Sequence, residues 1–245
     1  MKILYQIPGH MSAGPLGPAE LRRRQGILQA WAAPDTTVEV ADSPGGPMSI
    51  ESQVEGILSV APMTEALLRR PQPPDAVIVG CFGDPGVHAL REVLDCPVVG
   101  PFEAAMHQGA QLGARVGVVT VLDSVMPMLD ELARSMGMSL RYAGAIAIDV
   151  PVLELGQDPS DVAARVIHGG ERLLERGADV LILGCMSLAF LGIAESAAAA
   201  IGIPVINPAR CALKTAEAVA AQQLVQSRRT YAKPRKTLHL VKDLR

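Results

Sequence analysis

The sequence predicts an α/β protein made of two pseudo-symmetric lobes, each a short parallel sheet flanked by helices, with the active site in the cleft between them. Three observations carry this expectation. Short β-branched runs alternate with segments whose apolar residues recur every three or four positions, the pattern of strands followed by helices. "DAVIVGC", beginning at Asp75, is matched by "ADVLILGC", beginning at Ala178. Each is followed by a helical stretch and a Pro-Val strand, "CPVVGPFEAA" in one case and "IPVINPARCA" in the other. The shared order points to duplication of a lobe.

The strands are expected at "KILYQI", "TVEVA", "AVIVG", "PVVG", "RVGVVTV", around "AIAIDV", and at "DVLILG" and "PVI". In "SIESQVEGILSVAPMTEALLRR", Ser52 and Glu55 form an S-x-x-E capping box at a helix start. Pro62 is expected to end or kink that helix. In "SDVAARVIHGGERLLERG", Ser160 is the expected N-cap and Gly177 the C-terminal stop.

Composition sets limits on function. The chain has 245 residues, 49% hydrophobic and 19% charged, enough apolar material for one large domain or two lobes with their own cores. A net charge of −3 gives no reason to expect a nucleic-acid or membrane partner. With three Phe, three Tyr and one Trp, stacking platforms for single-stranded nucleic acid are not expected. The opening "MKILYQIPGHM" is too short an apolar run for a signal peptide, and no stretch reaches the roughly eighteen apolar residues of a membrane span. A cytoplasmic location is therefore expected, with free thiols as the expected state. There is no GxGxxG or Walker loop, and no Cys/His cluster with zinc-site spacing. Neither cofactor nor metal is expected.

Of the four cysteines, Cys96 precedes Pro97 at a strand start and Cys211 falls in the helix pattern "PARCALKTAEAV". Both read as packing thiols. Cys81 and Cys185 are different, because each follows a glycine at the end of a duplicated strand. In open α/β sheets ligands bind beyond the carboxyl ends of the strands. Two facing lobes therefore bring both thiols to one cleft. A cysteine between a strand end and a helix start meets unpaired amides and the positive end of a dipole, so a lowered thiol pKa is expected. One thiolate then removes a proton from a carbon acid while the opposite thiol returns one to the other face, inverting a stereocentre. Backbone amides after each cysteine are the expected donors to the enolate-like intermediate, with Gly83 and Gly86 letting that backbone approach the ligand.

The stretches "GCFGDPG", "PVVGPFEAA", "GVVT" and "LGC", with "GGPMSIES" at residues 45–52 and "SRRTYAKPRK" near the C-terminus, resemble the aspartate/glutamate/hydantoin racemase superfamily. The likeness is greatest to its hydantoin racemase branch. It implies cofactor-independent racemisation of a 5-substituted hydantoin or similar amino-acid derivative by Cys81 and Cys185. It also implies a first lobe of residues 1–100 and 207–245 and a second of 101–206, and the expected assembly is a homo-oligomer acting on a small molecule. Two departures concern the substrate. Where family members carry Asn-Pro-Asn-Thr after the first strand, this chain has "IPGHMS", and where they often read GCAGM it has "GCMSLAF". The absence of an Asp in "IPGH" and of a His directly after Cys185 disfavours a free amino acid as substrate. Alternatives are a free amino-acid racemase, a decarboxylase or maleate-type isomerase of the same superfamily, and a ligand-binding or thiol-redox sensor module. The decarboxylase pattern keeps only the second cysteine, so Cys81 argues against it.

The expected substrate-binding residues are Pro8, His10, Ser49, Phe82, Gly83, Thr120, Met186 and Ser187. His10 lies in the loop after the first strand, and Thr120 ends "RVGVVT", where it either meets substrate or caps a helix. Ser187 follows Cys185 by two residues and either contacts substrate or caps. Phe82, Met186 and Phe190 hint at an apolar substituent. Asp84 is placed to orient the loop after Cys81, or to serve turn chemistry. The basic tail from Ser227, with Arg228, Arg229, Lys233, Arg235 and Lys236, reads as solvated or subunit-contacting.

Overall fold

A computed structural model describes residues 1–236. Positions 237–245, the end of the segment expected in the first lobe, lie outside the described residues. The elements run β1 (Lys2–Gln6), α1 (Gly17–Trp31), β2 (Thr37–Ala41), α2 (Gln53–Leu68), β3 (Ala76–Val79), α3 (Val87–Val93), β4 (Val98–Val99) and α4 (Pro101–Leu112). They continue with β5 (Val116–Thr120), α5 (Met126–Ser135), β6 (Tyr142–Ala147), α6 (Pro159–Glu175), β7 (Val180–Leu183), α7 (Met186–Ala189), α8 (Ala194–Ile201), β8 (Val205–Ile206) and α9 (Pro208–Ala221). All eight expected strands form. β6 starts earlier than the "AIAIDV" run suggests, at Tyr142.

The strands make two four-stranded parallel sheets, ordered β2-β1-β3-β4 and β6-β5-β7-β8. The orders are the same when β1 is set on β5 and β3 on β7, and the register agrees. Leu4 pairs with Val77 and Gly117 with Leu181, while Val77 pairs with Val98 and Leu181 with Val205. On that register Cys81 and Cys185 occupy the same position of their lobes. Every residue of β3 and β7 is buried, as befits parallel strands covered on both faces.

Between the sheets lie α4, packed on β5 and β7, and α9, packed on β1, β3 and β4; the two helices also pack on each other. Their small residues, Ala104, Ala105, Ala209, Ala212 and Ala216, are buried and let the helix backbones approach closely. Phe102 and Met106 fill the space beside them without exposure. One apolar cluster therefore runs from Ile3 and Ile78 through these helices to Val118 and Ile182, so the cleft has a continuous packed floor.

Local signals hold in part. Ser52 caps α2, accepting from the Glu55 amide, and Glu55 reaches back to the Glu51 amide at 2.8 Å. α2 does not end at Pro62; it runs on to Leu68. Met63 and Leu67, buried after the proline, outweigh the one backbone bond it removes. Ser160 is not the cap of α6, since Asp158 takes that place by accepting from the Asp161 amide, with Pro159 in the first turn. Proline at that position fixes the cap one residue before it. Gly177 is left-handed (φ 85°) just past α6, as expected. The basic tail folds onto its own chain, where Arg228 donates to the Arg91 carbonyl at 2.9 Å and pairs with Asp95. Among the described residues, no helix is long and apolar enough to cross a membrane.

Candidate active site

Each sheet ends in a Gly-Cys pair, and the structure gives the glycine a steric reason. A Cβ on Gly80 would lie 2.6 Å from Tyr5 Cε1 and 3.2 Å from the Gln6 carbonyl. One on Gly184 would lie 2.5 Å from Val118 Cγ1 and 2.9 Å from the Val119 carbonyl. These are equivalent neighbours on the shared register. Each glycine amide also continues the ladder by one bond, Gly80 to Gln6 O at 2.7 Å and Gly184 to Val119 O at 2.6 Å. The chain then turns away and delivers the next side chain, a cysteine, into the cleft.

Both thiols line one cavity of about 700 Å³, counting the space at its mouth. Both keep some exposed surface, whereas Cys96 and Cys211 are buried, and all four are free. Of the expected binding residues, Pro8, Ser49, Phe82, Gly83, Met186 and Ser187 line the cavity with them. The remaining wall is mostly apolar, from Ile7, Met11, Val121, Val125, Met128, Leu129 and Leu153. The loop carrying Ser49 bridges the lobes: Glu51 accepts from the Val152 amide at 2.8 Å, and its carbonyl accepts from Ser124 Oγ at 2.5 Å.

Three expectations are corrected. His10 is not a lining residue, because its Nδ1 turns toward the Gly45 amide while its own amide donates to the Pro47 carbonyl at 2.8 Å. Thr120 neither faces the cavity nor caps a helix. Fully buried, it donates from Oγ1 to the Gly184 carbonyl at 3.1 Å and so braces the second corner. Gly86 serves the start of α3 in a left-handed conformation (φ 72°) rather than the cavity.

Asp84 does orient the Cys81 loop. Its carboxylate accepts from the Phe102 and Glu103 amides, both at 3.0 Å, capping α4 from outside its own sequence neighbourhood. Burial pushes its pKa up to about 7 in spite of those two bonds.

The thiols are not acidified in the way the strand-to-helix position suggests. Burial pushes Cys81 up to about 12; the Gly83 amide works against this, and the proximity of Cys185 and Asp84 adds to it. Burial also raises Cys185, opposed by the Leu188 and Ser187 amides, the Arg24 guanidinium and the Ser187 hydroxyl. Desolvation wins because the sulfurs sit among apolar walls, and α7 has only four residues with which to build a dipole. Since an ionised Cys185 disfavours ionisation of Cys81, the two are not thiolates together.

Sequence reasoning missed Arg24, which lines the cavity beside Cys185 and is 2% exposed. Its signal was the helix period: Leu21, Arg24, Leu28 and Trp31 share one face of α1, so the charge lies on an apolar stripe. Among the described residues no group of His, Cys, Asp or Glu is arranged to hold a metal ion.

Two parallel-sheet lobes sharing a cleft, with a matched thiol from each, define a two-lobed fold of the racemase kind. Residues 20–216 match the Asp/Glu/hydantoin racemase family. The chain is 35% identical to a hydantoin racemase of Pseudomonas sp. (strain NS671) over 77% of its length and 76% of the relative's. It is 32% identical to a hydantoin racemase of Paenarthrobacter aurescens over 98% of its length and all of the relative's, 100%. A solved allantoin racemase from Pseudomonas fluorescens superposes with a TM-score of 0.89 at 29% identity, covering 97% of this chain and 99% of that one. The chain belongs to the Asp/Glu/hydantoin racemase family, and it is an isomerase of the racemase class.

Proposed function

We propose that the protein inverts the α-carbon of 5-substituted hydantoins without a cofactor, using Cys81 and Cys185 as paired acid and base. The observation that carries this reading is the placement of the two thiols at equivalent strand ends on one cavity. One sulfur, as thiolate, takes the hydrogen of the ring α-carbon as a proton, and the C–H electron pair passes into an enolate at the adjacent carbonyl. The other sulfur, as thiol, gives its proton to the opposite face, so the two exchange protonation states. The Ser49 hydroxyl and the Gly83 and Ser187 amides are the polar groups available to the ring's carbonyl and N–H groups, while Arg24 is engaged by Ser187 and Glu20. A hydantoin suits buried thiols better than a free amino acid does, because its α-hydrogen is more acidic and the ring carries no net charge into an apolar cavity.

The walls formed by Val121, Val125, Met128, Leu129 and Leu153 favour an apolar substituent on the ring over the ureido group of allantoin, which would leave polar groups unpaired there. The test is incubation with one enantiomer of 5-benzylhydantoin in D₂O with a chelator present. Optical rotation and deuterium at the α-carbon are followed against a protein-free control, with allantoin in parallel. Faster loss of rotation with deuterium incorporation supports the reading, and 5-benzylhydantoin should have the larger kcat/KM. No gain over the control for either compound overturns it.

A further inference from the structure

The charges packed behind the two thiols differ in sign. Behind Cys185, Arg24 donates from Nη2 to Ser187 Oγ at 2.9 Å and from Nε to Glu20 Oε1 at 2.8 Å. Its guanidinium carbon lies 4.8 Å from the centre of the Phe190 ring. Arg23 holds the same Glu20 through two bonds, at 2.7 and 2.8 Å, and donates to the Phe190 carbonyl at 3.0 Å. One carboxylate shared by two guanidiniums leaves the cluster with net positive charge, and its inner member faces the cavity. α1 is thereby bolted to α7 at both ends of the turn after Cys185.

Behind Cys81 the nearby charge is the buried carboxyl of Asp84. The cation in reach of Asp84, Arg91, is engaged by Glu103 at 2.5 Å. Between the corners sits Tyr5, fully buried, whose hydroxyl has no hydrogen-bond partner among the described residues. Burial keeps that phenol neutral, so it supplies no charge to either side. The groups facing Cys185 are thus Arg24 from α1, Tyr5 from β1, the Ser187 hydroxyl from its own helix, and Cys81 across the cleft.

We propose that Arg24 is a positioning residue that makes the two thiols unequal: acting through Ser187, it makes Cys185 the more readily ionised sulfur, the first to serve as base, and leaves Cys81 as the acid. The inference rests on the two-thiol function proposed for the cavity. Burial keeps both sulfurs mostly protonated, and the minority form that starts turnover carries the thiolate on Cys185 and the thiol on Cys81. A turnover that starts with proton abstraction by Cys185 ends with Cys185 protonated and Cys81 ionised. Solvent returns the pair to that starting form by protonating Cys81 and taking the proton from Cys185. A substrate of the opposite hand runs the same steps backwards from the second form. Because two enantiomers have equal free energy, kcat/KM must be the same in both directions, so the inequality does not show in that ratio and is read directly at the sulfurs.

The experiment is alkylation of the whole protein by iodoacetamide across a pH series without substrate, with the modified peptides quantified by mass spectrometry. Cys185 should react about tenfold faster than Cys81 near pH 8, a difference of about one pKa unit. Arg24→Gln should move the Cys185 midpoint up by about one unit and slow its alkylation about tenfold at neutral pH. Arg24→Lys, which keeps the charge, should restore most of the rate. Ser187→Ala should shift the midpoint in the same direction by less, and it decides the matter if Arg24→Gln does not fold. Faster alkylation of Cys81 overturns the proposal, as does a Cys185 midpoint that stays put in both Arg24→Gln and Ser187→Ala. Failure of the racemase reading would show separately, as absence of racemisation by the wild-type protein with the alkylation difference intact.

Discussion

The Cys81 and Cys185 corners are built on the same strand order and register, yet they leave the sheet differently. Cys185 is itself the N-cap of α7, so the amides of Ser187 and Leu188 oppose the burial that raises its thiol. After Cys81 the chain passes through a loop in which Asp84 is left-handed (φ 48°) before α3 starts at Val87. There a single amide, that of Gly83, opposes the burial that raises the Cys81 thiol. The difference teaches that duplication preserves what the sheet demands, a glycine at the crowded ladder end and a side chain aimed at the cleft. The segment after each cysteine is free to diverge, and there the two thiols acquire different surroundings.

The comparison is broken most severely at the sulfurs. Cys81→Ser and Cys185→Ser should each reduce racemisation by about 10³-fold or more, since a serine hydroxyl does not replace a thiolate base. Each variant should still exchange the α-hydrogen of one enantiomer with solvent, and opposite enantiomers for the two variants. Deuterium incorporation into each pure enantiomer checks this; full racemisation by either variant would remove the cysteine assignment.

Next come the glycines. Gly184→Ala meets a backbone carbonyl and two β-branched side chains, and should cost about 3 kcal/mol. Gly80→Ala presses chiefly on the Tyr5 ring, a side chain rather than backbone, with the Gln6 carbonyl farther off at 3.2 Å, and should cost about 1–2 kcal/mol. Urea unfolding of the two variants measures the difference, and a larger loss at Gly80 would reverse this ranking of the corners.

Asp84 gives a smaller effect with a defined pH window. Its folded pKa, pushed up to about 7, lies above the value of an unfolded aspartate. The folded state therefore binds more protons between roughly pH 4 and 7, and this contribution to stability is full at the acid end and lost as pH rises through about 7. The stability of the wild type relative to Asp84→Asn should fall across that window by about 1–3 kcal/mol and level off above it. A relative stability that rises with pH would contradict it. Smallest is Thr120→Val, which removes the brace on the Gly184 carbonyl and should cost about 1 kcal/mol. Its removal should affect racemisation through Cys185 placement alone, so hydrogen exchange at the exchanging enantiomer of the Cys81→Ser background is the sharper readout.

Much of this is legible in the chain. Alternating strand and helix periods, the two copies of Asp-strand-Gly-Cys, and the Pro-Val strands specify eight strands, two sheets and which two of four cysteines meet. These signals are local: side-chain period, turn residues and their order along the chain. The misreadings are also local in kind. Pro62 looks like a stop in a helix that tertiary packing carries through it. His10 and Thr120 are placed by their positions in a loop and at a strand end, which fix the backbone but not the side chain's direction.

By itself, then, the sequence determined the repeated architecture and the matched pair of thiols, because duplicated strands bury and turn by the same local rules. Only the tertiary structure decided the surroundings of that pair. Arg24 reaches Ser187 across 163 positions of chain, and Asp84 caps a helix it does not belong to. The thiols' pKa, which burial raises where the local dipole argues for lowering it, depends on the atoms that other segments pack around each sulfur. Desolvation is a property of that whole enclosure, and no single stretch of sequence encodes it.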